Sequence, residues 1–161
     1  MTTLSLSRDI YCPIDEVFAY HTDLERSPQH WTNVIVCRRE AGPGAPQVGD
    51  RYLWRYRMYG VDFAGHAAVR EIEPGRRFVW ETDGGLRARI VSEYLPLSAR
   101  RTRVTVHVDY DVPGGLIGRA VDRLLVEARN VADGERAMDR LVERLEAEVA
   151  ARLDVEDMLL A

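Results

Sequence analysis

The stretch TRVTVHVDYDVPGG, residues 102–115, decides the fold because it ends a series of strands and leads into one long helix. Its apolar and polar residues alternate with a period of two, which indicates a half-buried strand over 102–112. The Pro-Gly-Gly sequence that follows ends the strand. From about Leu116 to Leu153 the residues then favour a helix, with a single glycine at 134.

Upstream of this stretch the same period recurs between turn sequences and predicts six further strands. They cover 3–11, 34–37, 50–58, 61–72, 76–82 and 86–95. Between the first two, Pro13 opens a short helix and a second short helix follows. An antiparallel meander with one amphipathic helix must pack that helix on the sheet to bury both apolar faces. We therefore expect a single α+β domain over 1–154 and a C-terminal tail over 155–161.

The strand parity places aromatic rings with polar tips on the inner face of the sheet, among them Trp54, Tyr56 and Tyr110. A solid core more usually consists of Val, Leu and Ile, so these rings favour a cavity for an apolar or aromatic ligand. The alternative, that the rings simply fill the core, stays open. The predicted ligand-binding residues are Trp31, Trp54, Met58, Phe63, Trp80, Ile90, Tyr94, Val131 and Met138.

Glu135 is the candidate acid or base. The apolar stripe predicted for the long helix runs through Ile117, Leu124, Ala128, Val131, Met138, Val142, Leu145 and Val149. At about 100° per residue, Glu135 falls within roughly 30° of its centre and would face the cavity. There a desolvated carboxylate could exchange protons, with Tyr56 or Tyr110 as a hydrogen-bond donor. The alternative is that Gly134 bends the helix and releases Glu135 to solvent.

Composition and motifs exclude several functions. The net charge of −4 argues against nucleic acid as a partner. No apolar run approaches ~18 residues, so no stable membrane insertion is expected. No secretory signal is visible, and only two cysteines are present, which indicates the cytoplasm. His21 and His30 are nine apart, which is not a common zinc spacing, and no nucleotide, hydrolase or zinc motif occurs. We expect neither metal nor cofactor.

Three segments carry a resemblance to a known family: CPIDEVFAYHTDLERSPQHW at 12–31, VREIEPGRRF at 69–78, and 102–115 leading into the helix that ends LVERLEAEV. The chain resembles the START/polyketide cyclase-dehydrase superfamily (SRPBCC), with the helix-grip fold of the major birch pollen allergen. The resemblance implies seven antiparallel strands curved around a long C-terminal helix, two short helices between strands 1 and 2, and a deep apolar cavity. Where aromatase members carry Tyr, Arg and Asn, this chain has Val34, Glu71 and Ala137.

Two functions follow from the resemblance together with the residues. The chain binds a small hydrophobic or aromatic molecule and acts as a polyketide cyclase or dehydratase, or it is a non-catalytic carrier of a lipid, quinone or polyketide. A shaped cavity with one acid or base can be sufficient for cyclisation, because holding the reacting groups together supplies much of the rate. Whether any reaction is catalysed, and whether the protein forms a homodimer, stays open.

Overall fold

The protein forms one antiparallel sheet with helices on one side, seen here in a computed structural model that describes residues 2–58, 60–111 and 123–161. The elements run in the order β1 (Thr2–Ile10), α1 (Ile14–Thr22), a 3₁₀ turn (Leu24–Arg26), α2 (Ser27–His30), β2 (Val34–Arg39), β3 (Arg51–Met58), β4 (Val61–Glu73), β5 (Arg77–Thr82), β6 (Arg87–Ser98), β7 (Arg101–Asp111) and α3 (Arg123–Leu160). The predicted α+β helix-grip architecture is confirmed.

All seven strands belong to one sheet in the order β1-β7-β6-β5-β4-β3-β2, with every neighbouring pair antiparallel. The chain therefore runs as a meander from β2 to β7, and β7 then pairs with β1. Each predicted strand is present, because a period of two commits a segment to one buried face. At Gly65 the backbone of β4 passes close to the backbone of Asp83. A Cβ at this position would lie 2.0 Å from the backbone oxygen of Asp83, so a glycine is required here.

The predicted strand parity is confirmed in the strands that carry the aromatic rings. In β3 the residues alternate strictly between exposed and buried, with Trp54 and Tyr56 on the buried face. In β7 Thr102, Val104, Val106 and Tyr110 are buried and Val108 is partly buried; Val112, which was also expected to face inward, lies outside the described residues. The opposite face of the sheet carries ion pairs such as Arg57 Nε to Asp62 Oδ1 at 2.6 Å.

The long helix α3 lies close against β1, at the glycine that interrupts its apolar stripe. A Cβ on Gly134 would meet Leu6 Cδ1 at 2.8 Å and Leu4 Cδ2 at 3.1 Å, so a larger residue would require these leucine side chains to shift. From residue 127 onward, where burial is described, the buried positions of the helix are Asn130, Gly134, Ala137, Met138, Leu141 and Leu145. The predicted stripe is right at Met138 and Leu145, which are buried, and wrong at Val131, which is 43% exposed; it also missed Leu141.

The helix continues beyond its predicted end at Leu153. It is helical to Leu160, so the predicted tail over 155–161 is helical up to its last residue, and all of its residues are exposed. At about 1.5 Å per residue, its 38 residues span roughly 57 Å. Met158, Leu159 and Leu160 in its last turns are exposed. The predicted start at Leu116 lies outside the described residues. No helix in the described part of the chain is long and apolar enough to cross a membrane.

Candidate functional site: an apolar cavity between the sheet and the helices

A pocket of about 110 Å³, partly open to the surface, lies between the inner face of the sheet, α2 and α3. It forms because α3 packs against β1 and α2 and leaves space above the central strands. The described residues that line it are Leu4, His21, Leu24, Ser27, His30, Trp31, Val34, Trp54, Tyr56, Met58, Trp80, Thr82, Leu86, Ala88, Ile90, Val106, Val108, Tyr110, Asn130 and Met138. A carboxylate, ammonium or guanidinium group is not among them.

Most of the predicted ligand-binding residues line this cavity. They are Trp31, Trp54, Met58, Trp80, Ile90 and Met138, and the candidate catalytic residues Tyr56 and Tyr110 join them. Three predicted residues lie elsewhere. Phe63 packs against the edge of the core, Tyr94 is buried behind the wall, and Val131 faces outward because of the phase of the helix.

Glu135 lies outside the cavity lining. Its carboxylate is paired with the Arg8 guanidinium on β1, and 44% of its side chain is exposed. Arg8 also donates to Asp139 Oδ1 at 2.9 Å. Glu135 follows Gly134, the helix residue nearest β1, so it is rotated by about 100° onto the flank of the helix. Of the two alternatives for Glu135, the structure therefore favours the one in which its carboxylate turns to solvent, and the pair with Arg8 explains why it turns outward.

Each cavity tyrosine is held by an amide. Asn33 Nδ2 donates to the Tyr56 hydroxyl at 3.3 Å and to Asp133 Oδ2 at 2.8 Å. Asn130 Nδ2 donates to the Tyr110 hydroxyl at 3.2 Å from the buried face of α3. Because an amide N–H can only donate, both phenolic oxygens act as acceptors here, and their own protons remain available to a ligand. Burial raises the pKa of Tyr56, so its hydroxyl stays protonated.

Two histidines from the helical corner meet at the cavity wall. The rings of His21 and His30 are 5.8 Å apart, and the His21 Nδ1 lies 2.6 Å from the Tyr94 hydroxyl. Burial, with a smaller contribution from His30, lowers the pKa of His21 to about 3. Burial and the Arg144 guanidinium lower the pKa of His30 to about 4. Both imidazoles are therefore neutral at physiological pH.

Several polar atoms of the cavity walls are left without partners among the described residues. They are Nδ1 of His30 and the indole nitrogens of Trp31 and Trp54. The Trp31 indole is near the Tyr56 hydroxyl, without normal hydrogen-bond geometry. The Trp54 ring stacks on Tyr56 at 5.5 Å, which fixes its orientation. Buried polar groups usually have a partner, so this concentration of unpaired atoms around one cavity calls for an explanation.

The sequence reasoning missed His21, His30 and Asn130. Asn130 was detectable, since it lies one helical turn before Gly134 on the stripe that Met138 and Leu145 define. The histidine pair was not, because their nine-residue separation gives no hint that the 3₁₀ turn brings the rings together. Among the described residues, no three His, Cys, Asp or Glu side chains gather in a way that could hold a metal.

The positions that the resemblance aligned with aromatase residues are separated in space. Val34 lines the cavity and Ala137 is buried on α3. Glu71 faces the other side of the sheet, where it accepts from Arg77 Nε at 2.9 Å. These three side chains therefore form no common site.

Comparison with known families gives one match over most of the chain. The family model described as polyketide cyclase/dehydrase and lipid transport matches residues 1–146. No curated protein matches the chain.

Solved structures with the same fold are similar to this chain at low sequence identity. A Thermus thermophilus protein, TTHA0849, is 21% identical with a TM-score of 0.72, over 91% of this chain and 99% of the other. The Zhui aromatase/cyclase from a Streptomyces species is 12% identical with a TM-score of 0.72, over 92% and 95%. A START superfamily protein from Mycobacterium smegmatis is 16% identical with a TM-score of 0.64, over 89% and 98%. At these identities the likeness shows the fold.

Proposed function

The chain belongs to the polyketide cyclase/dehydrase and lipid transport family, and on that premise we propose that it binds a small hydrophobic or aromatic ligand in the internal cavity. The observation that carries this proposal is the cavity itself, with its wall of apolar and aromatic side chains and its freedom from charged groups among the described lining residues. An apolar void of this kind costs stability while empty, and a ligand restores the missing contacts.

The size of the cavity limits what enters it without rearrangement. Its volume of about 110 Å³ is somewhat below the roughly 150 Å³ of an apolar cavity that holds benzene. A pocket for a drug-sized ligand measures about 300–1,000 Å³. A single six-membered ring therefore matches the cavity with small adjustments of the walls. A multi-ring ligand requires an opening movement, for which the partly buried Trp31 at the helical corner is the best placed residue.

Intrinsic fluorescence tests the proposal directly. The chain has three tryptophans, and Trp31, Trp54 and Trp80 all line the cavity, so the whole indole emission reports on its contents. Native mass spectrometry of the purified protein would identify a co-purified molecule. We expect Ala88→Phe, which places a ring inside the cavity, to abolish ligand binding. The control is Leu53→Phe on the outer face of β3, which should leave binding intact. Equal binding by both variants would refute the proposal.

Catalysis of enolisation or dehydration is a second candidate function, which the neutral imidazole of His30 at the cavity wall favours. A neutral imidazole can remove a proton next to a carbonyl, while the Tyr56 or Tyr110 hydroxyl donates to the enolate oxygen that forms. The negative charge that develops beside His30 raises its pKa during this step and makes it a better base.

Paired variants separate this catalytic role from simple carriage. If His30 is the base, His30→Gln should retain ligand binding and reduce product formation by about 100-fold or more. Glu135→Gln should leave product formation unchanged, because its carboxylate lies outside the cavity lining. If His30→Gln forms product as fast as the wild-type protein, His30 is not the base, and carrying the ligand is the function that stands.

A further inference from the structure

The C-terminal part of α3 projects beyond the other described elements. Arg152 binds Glu16 of α1 through two ion-pair contacts of 2.8 Å. Residues 153–160, called the projecting segment, continue the helix for roughly another 12 Å, and every one of them is exposed. Leu159 and Leu160 are 81% and 87% exposed. Among the described residues, no hydrogen bond or ion pair joins the projecting segment to another element, so its apolar side chains lie unpacked in solvent.

The charges of the projecting segment are unfavourable for an isolated helix end. It carries Asp154, Glu156 and Asp157, and its last turn contains no basic residue. The C-terminus of a helix has a partial negative charge, so these carboxylates destabilise it. A helix end that packs against nothing also frays, because tertiary contacts supply most helical stability. A surface that is both basic and apolar would compensate for both effects.

A basic and apolar surface lies at the same end of the protein. It is called the hairpin surface and consists of Tyr11, which follows β1, and of Leu95, Leu97, Arg100 and Arg101 around the turn between β6 and β7. Its apolar members are exposed, Tyr11 by 63%, Leu95 by 53% and Leu97 by 36%. The Arg101 guanidinium lies 5.2 Å from the centre of the Tyr11 ring, and Arg100 has no acidic partner among the described residues. The hairpin surface thus has the chemistry that the projecting segment requires.

The two surfaces do not meet within one chain. The backbone N–H of Tyr11 donates to Glu146 Oε1 at 3.0 Å, so the hairpin surface begins beside the last packed turns of α3. The helix covers the inner face of the sheet, whereas Leu95 lies on the outer face, since its neighbour Tyr94 is buried on the inner one. A twofold axis at this end of the molecule would instead place each projecting segment on the hairpin surface of a second copy.

We propose that two copies of this chain form a symmetric dimer in which the projecting segment of each lies against the hairpin surface of the other. The carboxylates of Asp154 and Asp157 then face the free guanidinium of Arg100, and the exposed leucines of the segment cover those of β6. Each contact involves little more than two helical turns, which places the interface in the small, transient class. We expect a dissociation constant of roughly 1–100 µM. Dimerisation is independent of the ligand binding proposed above.

Sedimentation equilibrium of the full chain tests whether the dimer exists. Between about 1 µM and 1 mM protein, the mean mass should rise from that of the monomer towards twice that value. The dissociation constant should increase at least about threefold between ~0.1 M and ~0.5 M NaCl, because the charges at the contact are exposed and salt screens them. A monomer throughout this concentration range would overturn the proposal.

An exchange of charges tests which surfaces meet. The variant Asp154→Arg/Asp157→Arg and the variant Arg100→Asp each place like charges in both contacts, so each should dimerise about tenfold more weakly or worse. In an equal mixture of the two variants, both contacts again join opposite charges, and the wild-type affinity should return. The control is Arg38→Asp, which makes the same charge change at an exposed position of β2 and should dimerise like the wild type.

A second pair of variants tests the apolar part of the contact. Leu159→Ser/Leu160→Ser should raise the dissociation constant about tenfold or more, whereas Leu53→Ser on the outer face of β3 should not change it. Circular dichroism shows whether each variant keeps the fold. If the wild type dimerises but the two charge variants do not recover on mixing, or the leucine variant associates as tightly as the wild type, the dimer uses another surface and the proposal is wrong.

Discussion

Acidification should destabilise the protein because two histidines are buried in the neutral form. The pKa of His21 is lowered to about 3 and that of His30 to about 4, against about 6.5 in an unfolded chain. Between these values the unfolded state binds protons that the folded state does not, so the free energy of unfolding falls as the pH falls below 6.5. Above pH 6.5 both histidines are neutral in both states, and their contribution is constant.

The size of the effect follows from the pKa differences. Each histidine contributes about 1.4 kcal/mol per pH unit between its unfolded and folded pKa. At pH 5 this is about 2 kcal/mol for each, or about 4 kcal/mol together. A typical domain is stable by about 5–15 kcal/mol, so the loss is readily measured. The carboxylates with lowered pKa, such as Asp62 beside Arg57, lose their contribution only below about pH 4.

Urea denaturation followed by circular dichroism at pH 7.5, 6.5, 5.5 and 5.0 provides the measurement. His30→Gln should reduce the loss between pH 6.5 and 5.0 by about half, because glutamine does not titrate. Ser27→Ala is the control in the same short helix, and it should keep the full loss. A wild-type protein equally stable at pH 7.5 and 5.0, or the same pH dependence in both variants, would refute the reasoning.

Three further predictions concern the packing around this site. Gly134→Val should lower the free energy of unfolding by about 1–3 kcal/mol in urea denaturation, because the added methyl groups overpack the contact between α3 and β1. Burial raises the pKa of the Cys12 and Cys37 thiols to about 12, so both should react with a thiol reagent at pH 8 only after unfolding. A double-mutant cycle of Arg8→Gln and Glu135→Gln should give a coupling energy of at most about 1 kcal/mol, because both side chains are partly exposed.

The strands could be predicted from the sequence because alternate residues of a strand lie on the same face of the sheet, so a buried face appears as an apolar residue at every second position. In β3 the pattern of arginine against aromatic residues leaves one choice of face. The helix face was harder to read, since Leu141 and Val142 are adjacent and both apolar, and a shift by one residue turns the helix by about 100°. Before Met138 the predicted face was displaced in this way, which brought Val131 and Glu135 towards the predicted cavity and left Asn130 out.

The histidine pair depended on tertiary structure that no local pattern records. His21 lies in the last turn of α1 and His30 ends α2, and the 3₁₀ turn between them brings the two rings to the same wall. Within a strand or a helix, the spacing along the chain fixes which side chains are neighbours. Across an irregular turn it does not, so a distance of nine residues was compatible with contact and with separation alike.

A charged residue interrupts the apolar pattern of β1 and another interrupts that of α3, and their pairing explains both. Arg8 interrupts the inward face of β1 after Leu4 and Leu6, and Glu135 interrupts the predicted stripe of α3. A charged residue in an apolar face is costly unless an opposite charge compensates for it. The structure pairs Arg8 with Glu135, directly beside the point where Gly134 contacts Leu6. Opposite charges that interrupt the apolar faces of two elements can thus indicate how these elements pack. Here the pair places α3 against β1, and this position leaves space for the cavity above the central strands.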